Sequence, residues 1–345
     1  SDANAGLAGY WARGGRGSSC VICSTFSRAS QGSVVVKAAT WLPVLRQLSD
    51  GAPISGQELG DSIGVTRAAI WQRVAYLKLL GVSISANDHG YQVQGHVYLP
   101  NADLISASVE VPVRFEPEVS STNTLVLGSR EPQCLLTLYQ NQGRGRRGRH
   151  WVAAPGAALM LSVGQWMSQG IQEIQGLSVE IGVSICHYLN GLGVDVGLKW
   201  PNDLWIGDAK LAGILVEVQG DQDQTFVVVG FGLNLQQPVA VDSRVSAIDQ
   251  VFDRPWTDTD SVGLIESVLS TIRHYPATPA ATRIARYRAV SVLEGRKVNV
   301  NGALTGFTGI AQGIDEFGRL CVLNENGVNS VSAGDVSVRP EPCNI

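Results

Sequence analysis

No stretch of the 345-residue sequence is apolar over the roughly 20 positions that a membrane-crossing helix needs, so no membrane function is expected. Cysteine is sparse and unpatterned. Cys20, Cys23, Cys134, Cys186, Cys321 and Cys343 lack the spacing of a disulfide framework, which points to a reducing, cytoplasmic compartment. Cys20-Val21-Ile22-Cys23 could be half a zinc site or a redox motif, but no second pair or histidine cluster accompanies it, and unpaired thiols are expected. An excess of positive charge is missing as well. The 26 Lys and Arg stand against 30 Asp and Glu, a formal net charge of -4, which excludes coating of nucleic acid by overall charge. Any contact with DNA must come from a local feature.

What the chain does have is 44% hydrophobic and 16% charged residues, enough for a sizeable core and for two or three domains. Residues 1–36 are rich in Gly, Ser and Ala, carry Arg13, Arg16 and Arg28 against Asp2, and show no helical apolar period. A disordered leader is expected there, with a composition similar to a transit peptide and equally to residues ahead of a misplaced start.

The densest local feature is Gly143-Arg144-Gly145-Arg146-Arg147-Gly148-Arg149, four guanidinium groups on a glycine-interrupted loop. Glycine permits positive φ and close backbone approach, and arginine offers a forked donor that matches carboxylate and phosphate oxygens. A solvated basic loop or an RNA-binding Arg/Gly tail would have the same composition. Apolar Leu135, Leu136 and Leu138 precede the loop, however, and Trp151 and a second apolar run, 157–163, follow it. The pattern reads as strand, loop, strand, and a loop tethered by buried strands suits an anion clamp.

Between residues 43 and 93 the pattern changes to short helices. Pro43 suits a first helical turn, and Gly51 ends that helix. Ser55-Gly56-Gln57-Glu58 has capping-box spacing and opens a second helix with Leu59 and Ile63 on one face. Gly64-Val65 makes a turn, Thr66 caps a third helix, and Ala69, Ile70, Val74 and Leu77 recur along it until Gly81. Residues 82–84 and 91–93, around Asn87-Asp88-His89-Gly90, complete a winged helix-turn-helix. Thr66, Arg67, Ala68, Trp71, Gln72 and Arg73 would face the DNA groove, in a dimer that pairs two half-sites. A small helical domain with no DNA ligand is the competing reading.

Further segments carry polar groups at strand and helix ends. Ser120-Ser121-Thr122-Asn123 starts a helix, capped by Ser121 or Thr122. Lys199-Trp200-Pro201-Asn202-Asp203-Leu204 follows a strand expected over 194–198 and turns at Pro201-Asn202-Asp203. After a hairpin turn at Gly207-Asp208, Lys210 stands at the mouth of a buried strand in which Gly213 leaves room for a ligand. The strand 226–234 is interrupted by Gly230 and Gly232, as expected of a ligand wall or a β-bulge, and ends at Asn234 before a long loop, 236–250.

Ser121-Thr122-Asn123, the Gly143 to Trp151 loop, Lys199 to Leu204 and Lys210 to Glu217 occur in the order found in bacterial biotin protein ligases. Thr66-Arg67-Ala68-Ala69-Ile70 extends the likeness to those ligases that also repress biotin operons. The resemblance covers roughly residues 40–340; Asn141-Gln142 and His150 depart modestly from it.

It implies an α+β protein: a winged helix-turn-helix over 37–98, a mixed-sheet α/β catalytic domain of the biotin/lipoate ligase type over 99–288, and a small SH3-like barrel over 289–345. The implied reaction forms biotinyl-5′-AMP from biotin and ATP with Mg²⁺, then transfers biotin to a lysine of a biotin carboxyl carrier protein. A further implied role is repression at operator DNA of biotin genes, by a homodimer that forms when the adenylate is bound.

Carried over residue by residue, Ser121, Thr122, Asn123 and Gln140 address the ureido ring, and Arg144, Gly145, Arg146 and Lys210 meet the carboxylate or adenylate phosphate. Trp151 and Gly213 line the valeryl chain. Arg146, Arg147, Arg149, Trp151, Asn202, Lys210 and Asn234 take the nucleotide, and Lys210, Arg146 and Arg144 carry the chemistry. No metal ligand is assigned. A biotin-sensing regulator without catalysis and a lipoate–protein ligase are the alternatives.

Behind the catalytic segments, Val262, Ile265, Val268 and Ile272 mark a helix over 258–274, and short strands over 297–300, 305–311, 320–323 and 328–331 make up the third domain.

Overall fold

A computed structural model describes residues 38–238, 244–301, 306–333 and 337–340. The expected leader, Cys20, Cys23 and Cys343 lie outside the described residues; Cys134, Cys186 and Cys321 are free thiols.

Three helices open the described chain: α1 (Ala38–Leu48), α2 (Gly56–Ile63) and α3 (Arg67–Leu79). The α1 helix begins five residues before Pro43, which therefore sits inside it and not at its start. Burial is the reason. Trp41, Val44, Leu45 and Leu48 recur at helical spacing and are fully buried, and that stripe outweighs the one hydrogen bond a proline removes. The capping box of α2 forms as expected, with Ser55 accepting from the Glu58 amide and Glu58 reaching back to the Ser55 amide. Gly64 ends α2 at φ 76°, and Thr66 caps α3 by accepting from the Ala69 amide. The wing is a hairpin of β1 (Ile84–Asn87) and β2 (Gly90–Val93), about two residues later on its first side than the apolar pattern predicts. Ile54 bridges Tyr91 and ties the wing to the helices.

After the short α4 (Ala102–Ser106), a seven-stranded mixed sheet runs in the order β3-β4-β5-β9-β8-β7-β6. Its strands are β3 (Val113–Val119), β4 (Gln133–Gln140), β5 (Ala158–Met167), β6 (Gly197–Lys199), β7 (Asp203–Ile206), β8 (Ala209–Gly220) and β9 (Thr225–Asn234). Only β3 and β4 pair in parallel, because α5 (Thr122–Ser129) crosses between them; every other neighbour is antiparallel. The strand expected over 194–198 is confined to β6, and residues 194–196 lead into it.

The helices α6 (Leu177–Gly191) and α7 (Asp258–His274) pack on the sheet and share one apolar core with it. The α6 helix has no counterpart in the sequence reading. It is buried on nearly all sides, from Leu177 through Leu189, so it lacks the one-sided stripe that marks a surface helix. A further helix, α8 (Ala280–Val290), runs across the expected domain boundary at 288. Beyond it β10 (Lys297–Asn301), β11 (Phe307–Ile314), β12 (Leu320–Asn324), β13 (Gly327–Val331) and β14 (Ser337–Pro340) form an antiparallel sheet in the order β13-β12-β11-β10-β14.

Among the described residues no helix is long and apolar enough to cross a membrane.

Candidate active site

The ends of β4, β7, β8 and β9, the first turn of α5 and the 141–157 loop surround a cavity of about 970 Å³. Its lining includes Ser121, Thr122, Asn123, Gln140, Arg144, Gly145, Arg146, Arg147, Arg149, Trp151, Asn202, Lys210 and Gly213, so every sequence-predicted substrate residue but one faces one space. The exception is Asn234. It is buried, and its Nδ2 donates to the Ser246 carbonyl at 3.1 Å, which makes it an anchor for the segment after β9 and not part of the wall. That segment was expected to be one long loop. Its residues 239–243 lie outside the described residues, whereas Ile248–Gln250 forms a helical turn and Val245 bridges Lys210.

At one end of the cavity α5 begins. Ser121 is its cap, with its hydroxyl facing the Thr124 amide at 3.4 Å. The Thr122 amide donates to Gln140 Oε1 at 2.9 Å and the Thr122 hydroxyl to the same oxygen at 3.2 Å. Ser162, fully buried on β5, lies 2.7 Å from Thr122 Oγ1 and 2.5 Å from Asn123 Oδ1. Sequence reading missed Ser162, because a lone serine in an apolar strand has no pattern to mark it.

The arginine loop is folded on itself. Trp151 N donates to Gly143 O at 2.9 Å, Gly145 N to Arg149 O at 2.7 Å, and Arg144 bridges His150. At Gly143 a Cβ would lie 2.4 Å from the Trp151 carbonyl, so glycine is required there. Consecutive left-handed residues, Arg147 at φ 59° and Gly148 at φ 68°, reverse the chain. Arg144 does not project free into the cavity; its Nη2 pairs with Glu217 at 2.8 Å. Arg146 Nη1 donates to Asn202 Oδ1 at 3.1 Å, and its Nη2 contacts the Ala333 carbonyl. Burial, with Arg147 beside it, draws the Arg146 guanidinium below its ordinary pKa, against the pull of Asp203. The group stays charged, since arginine does not deprotonate in proteins.

Trp151 forms the floor. Its indole lies over Gly213 and Gly232, which face each other across β8 and β9; a Cβ at Gly232 would sit 2.5 Å from Trp151 Cε2. Lys210 reaches across the same surface, 2.7 Å from Asp203 and 5.7 Å from the Trp151 ring centroid. Lys199 stacks on Trp205 at 4.2 Å. Arg244 and Arg296 also line the cavity and escaped the sequence reading, because neither stands in a motif. The wall thus carries eight Lys or Arg residues against two carboxylates, Asp203 and Asp208. Such a site attracts polyanions and stabilises negative charge that builds up inside it.

The sequence matches three protein families: Biotin/lipoate A/B protein ligase over residues 117–234, biotin protein ligase C terminal domain over 295–339, and HTH domain over 41–92. It is 31% identical to the "Bifunctional ligase/repressor BirA" of Salmonella typhimurium and 30% identical to that of Escherichia coli, in each case over 86% of this chain and 97% of the relative. The chain belongs to the bifunctional biotin protein ligase and biotin operon repressor family.

It is a biotin protein ligase with a helix-turn-helix domain ahead of the catalytic sheet. The "Biotin--[acetyl-CoA-carboxylase] ligase" of Mycobacterium tuberculosis is 37% identical over 59% of this chain and 77% of that protein. In fold, the biotin protein ligase from Aquifex aeolicus, solved in complex with biotin and ATP, superposes with a TM-score of 0.57 at 21% identity, over 68% of this chain and all of that one.

On the ligase's helix-turn-helix, Thr66, Arg67, Ala68, Trp71 and Gln72 are exposed along one side of α3 and Arg73 is half-buried. The large Trp71 ring is 63% exposed, although burial would be its ordinary fate.

Proposed function

We propose that the cavity joins biotin to AMP and then passes the biotinyl group to a lysine of a biotin carboxyl carrier protein. The observation that carries this reading is the set of eight cationic side chains on the cavity wall, against two carboxylates. In the first step a biotin carboxylate oxygen attacks the α-phosphorus of ATP and pyrophosphate leaves. Two anions must meet and charge builds on the departing pyrophosphate, so fixed cations lower the barrier without reorganising. Lys210 and Arg146 serve this purpose, pre-set by Asp203 and Asn202. Arg147 and Arg149 take the remaining phosphates. Trp151, flat on its glycine floor, covers the valeryl chain. Ser121, Thr122 and Gln140 meet the ureido ring, each already hydrogen-bonded or capping and so held in place. In the second step the carrier lysine amine attacks the acyl carbon, AMP departs with the bonding pair, and the amine loses a proton.

Among the described residues no group of three or more His, Cys, Asp or Glu is arranged to hold a metal. This donor set fits Mg²⁺ only as an ion carried largely by the nucleotide phosphates and water, since Asp203 and Asp208 are the carboxylates on the wall. When bound there it would offset phosphate charge.

The α3 face supports binding to operator DNA of biotin genes. Beyond Ile214 the outer edge of β8 has no strand against it among the described residues, which supports a homodimer through that edge once the adenylate orders the loops beside it. The absence of a disulfide among Cys134, Cys186 and Cys321 fits a cytoplasmic setting.

The test is direct. The purified chain is incubated with ATP, a carrier domain, and either biotin or lipoate, and the carrier mass is read. A biotin adduct on the lysine is expected; lipoylation alone, or ligand binding with no adduct, would overturn the proposal.

A further inference from the structure

Asn123 is occupied by the protein to a degree that leaves little for a ligand. Its Oδ1 lies 2.5 Å from Ser162 Oγ, and its Nδ2 donates to the Leu215 carbonyl at 3.1 Å and to Glu217 Oε2 at 2.9 Å. Both amide hydrogens are therefore committed, and the side chain is buried. The β9 strand is shaped to receive it: a Cβ at Gly230 would lie 2.1 Å from Asn123 Oδ1. Glu217 in turn accepts Arg144 Nη2 on both oxygens, at 2.8 and 2.9 Å. A single carboxylate on β8 thus joins the first turn of α5, which carries Ser121 and Thr122, to the first guanidinium of the arginine loop. The Arg144 and Glu217 side chains are 46% and 25% exposed, so their ion pair adds little to folding stability. Its consequence is orientation.

We propose that Glu217 is a positioning residue that holds Arg144 and Asn123 at the ring-binding end of the cavity, and that Asn123 braces this end instead of touching biotin. The inference rests on the ligase reading above. Glu217 fixes the loop and helix relative to each other before substrate arrives, and the ordering cost is met in folding and not in binding. Loss of its charge frees Arg144 and leaves Asn123 with a neutral partner.

Two readouts on the full chain test this. One is the rate of tryptic cleavage within the arginine loop without substrates, which needs no assumption about function. The other is the kinetics of biotin-dependent ATP–pyrophosphate exchange. Glu217→Gln is expected to speed cleavage and to raise KM for biotin about tenfold, the loss of a charge-assisted pair, with kcat and KM for ATP little changed. In an Arg144→Gln background the same replacement should change KM by less than about twofold, because both variants remove one interaction. Arg144→Ala, on an exposed loop, should speed cleavage at the remaining arginines in the same way. Unchanged cleavage in both single variants, or KM effects that multiply in the double variant, would overturn the proposal. A wild-type protein without biotin-dependent exchange would overturn the ligase reading, while faster cleavage of Glu217→Gln would still support the anchoring role.

Discussion

Replacing Gly232 by alanine would put a methyl carbon 2.5 Å from Trp151 Cε2 and 2.6 Å from Cζ2, far inside van der Waals contact. The backbone is ordinary extended strand, so the substitution is purely steric. The indole has little freedom to yield. It lies over Gly213 on the neighbouring strand, and the Trp151 backbone amide donates to Gly143 O. Overpacking of this kind costs about 1–3 kcal/mol. Because Trp151 is cavity wall and not core, most of that cost should fall on the site. Affinity for biotin should then drop about 5- to 150-fold, at about 1.4 kcal/mol per tenfold. Calorimetric titration of biotin against wild type and Gly232→Ala measures it, with thermal melts run in parallel. Gly213→Ala should be far milder, since the nearest atom, Lys210 Nζ at 3.1 Å, ends a flexible chain. Gly191→Ala, with nothing within 4 Å, is the control. If Gly232→Ala binds biotin as tightly as wild type and melts at the same temperature, Trp151 is not a rigid wall and the cavity description is wrong.

Other consequences concern stability and DNA. Burial opposes ionisation of Asp260, but hydrogen bonds from Arg254 and Thr257 outweigh it and hold the carboxyl below its ordinary pKa. That contribution is complete above the unfolded value of about 3.9 and fades as pH falls through the lower folded value. Asp260→Asn should therefore cost about 1–3 kcal/mol at pH 7 and flatten the acid limb of the melting curve, which denaturation across pH 2–7 would read out. An equal loss at every pH would refute the assignment. On α3, Thr66→Ala removes a helix cap and should cost about 1 kcal/mol in urea unfolding. Arg67→Ala leaves folding intact and should weaken binding to biotin-gene promoter DNA by about 1–3 kcal/mol if it reads a base edge. A gel-shift titration unaffected by Arg67→Ala and Trp71→Ala together would remove α3 as the reading helix.

The features legible in the sequence were those whose chemistry is local. Ser55 and Glu58 announce a capping box because both partners lie within one turn, and the box is present. The Gly and Arg alternation of 143–149 marks a cationic loop, and the apolar runs directly on either side place it between strands, where it lines the cavity. Features decided by distant partners were not legible. Pro43 looks like a helix start until Trp41 is found fully buried. Asn234 resembles a ligand-facing strand end, yet the Ser246 carbonyl claims its amide. Ser162 and Glu217 gain their roles only when β5, β8 and α5 converge on Asn123, a meeting that no spacing along the chain encodes. The α6 helix is hidden for a related reason, since its surroundings and not its own pattern determine that it is buried on nearly all sides, the charged Glu180 included.

The central claim is that fixed cations let two anions react in this cavity. Formation of biotinyl-AMP by the protein with both Arg146→Ala and Lys210→Ala, measured beside wild type at saturating ATP, tests it most directly. The account predicts a loss of at least about a thousandfold for two groups of this kind, with folding retained. An undiminished rate would contradict it.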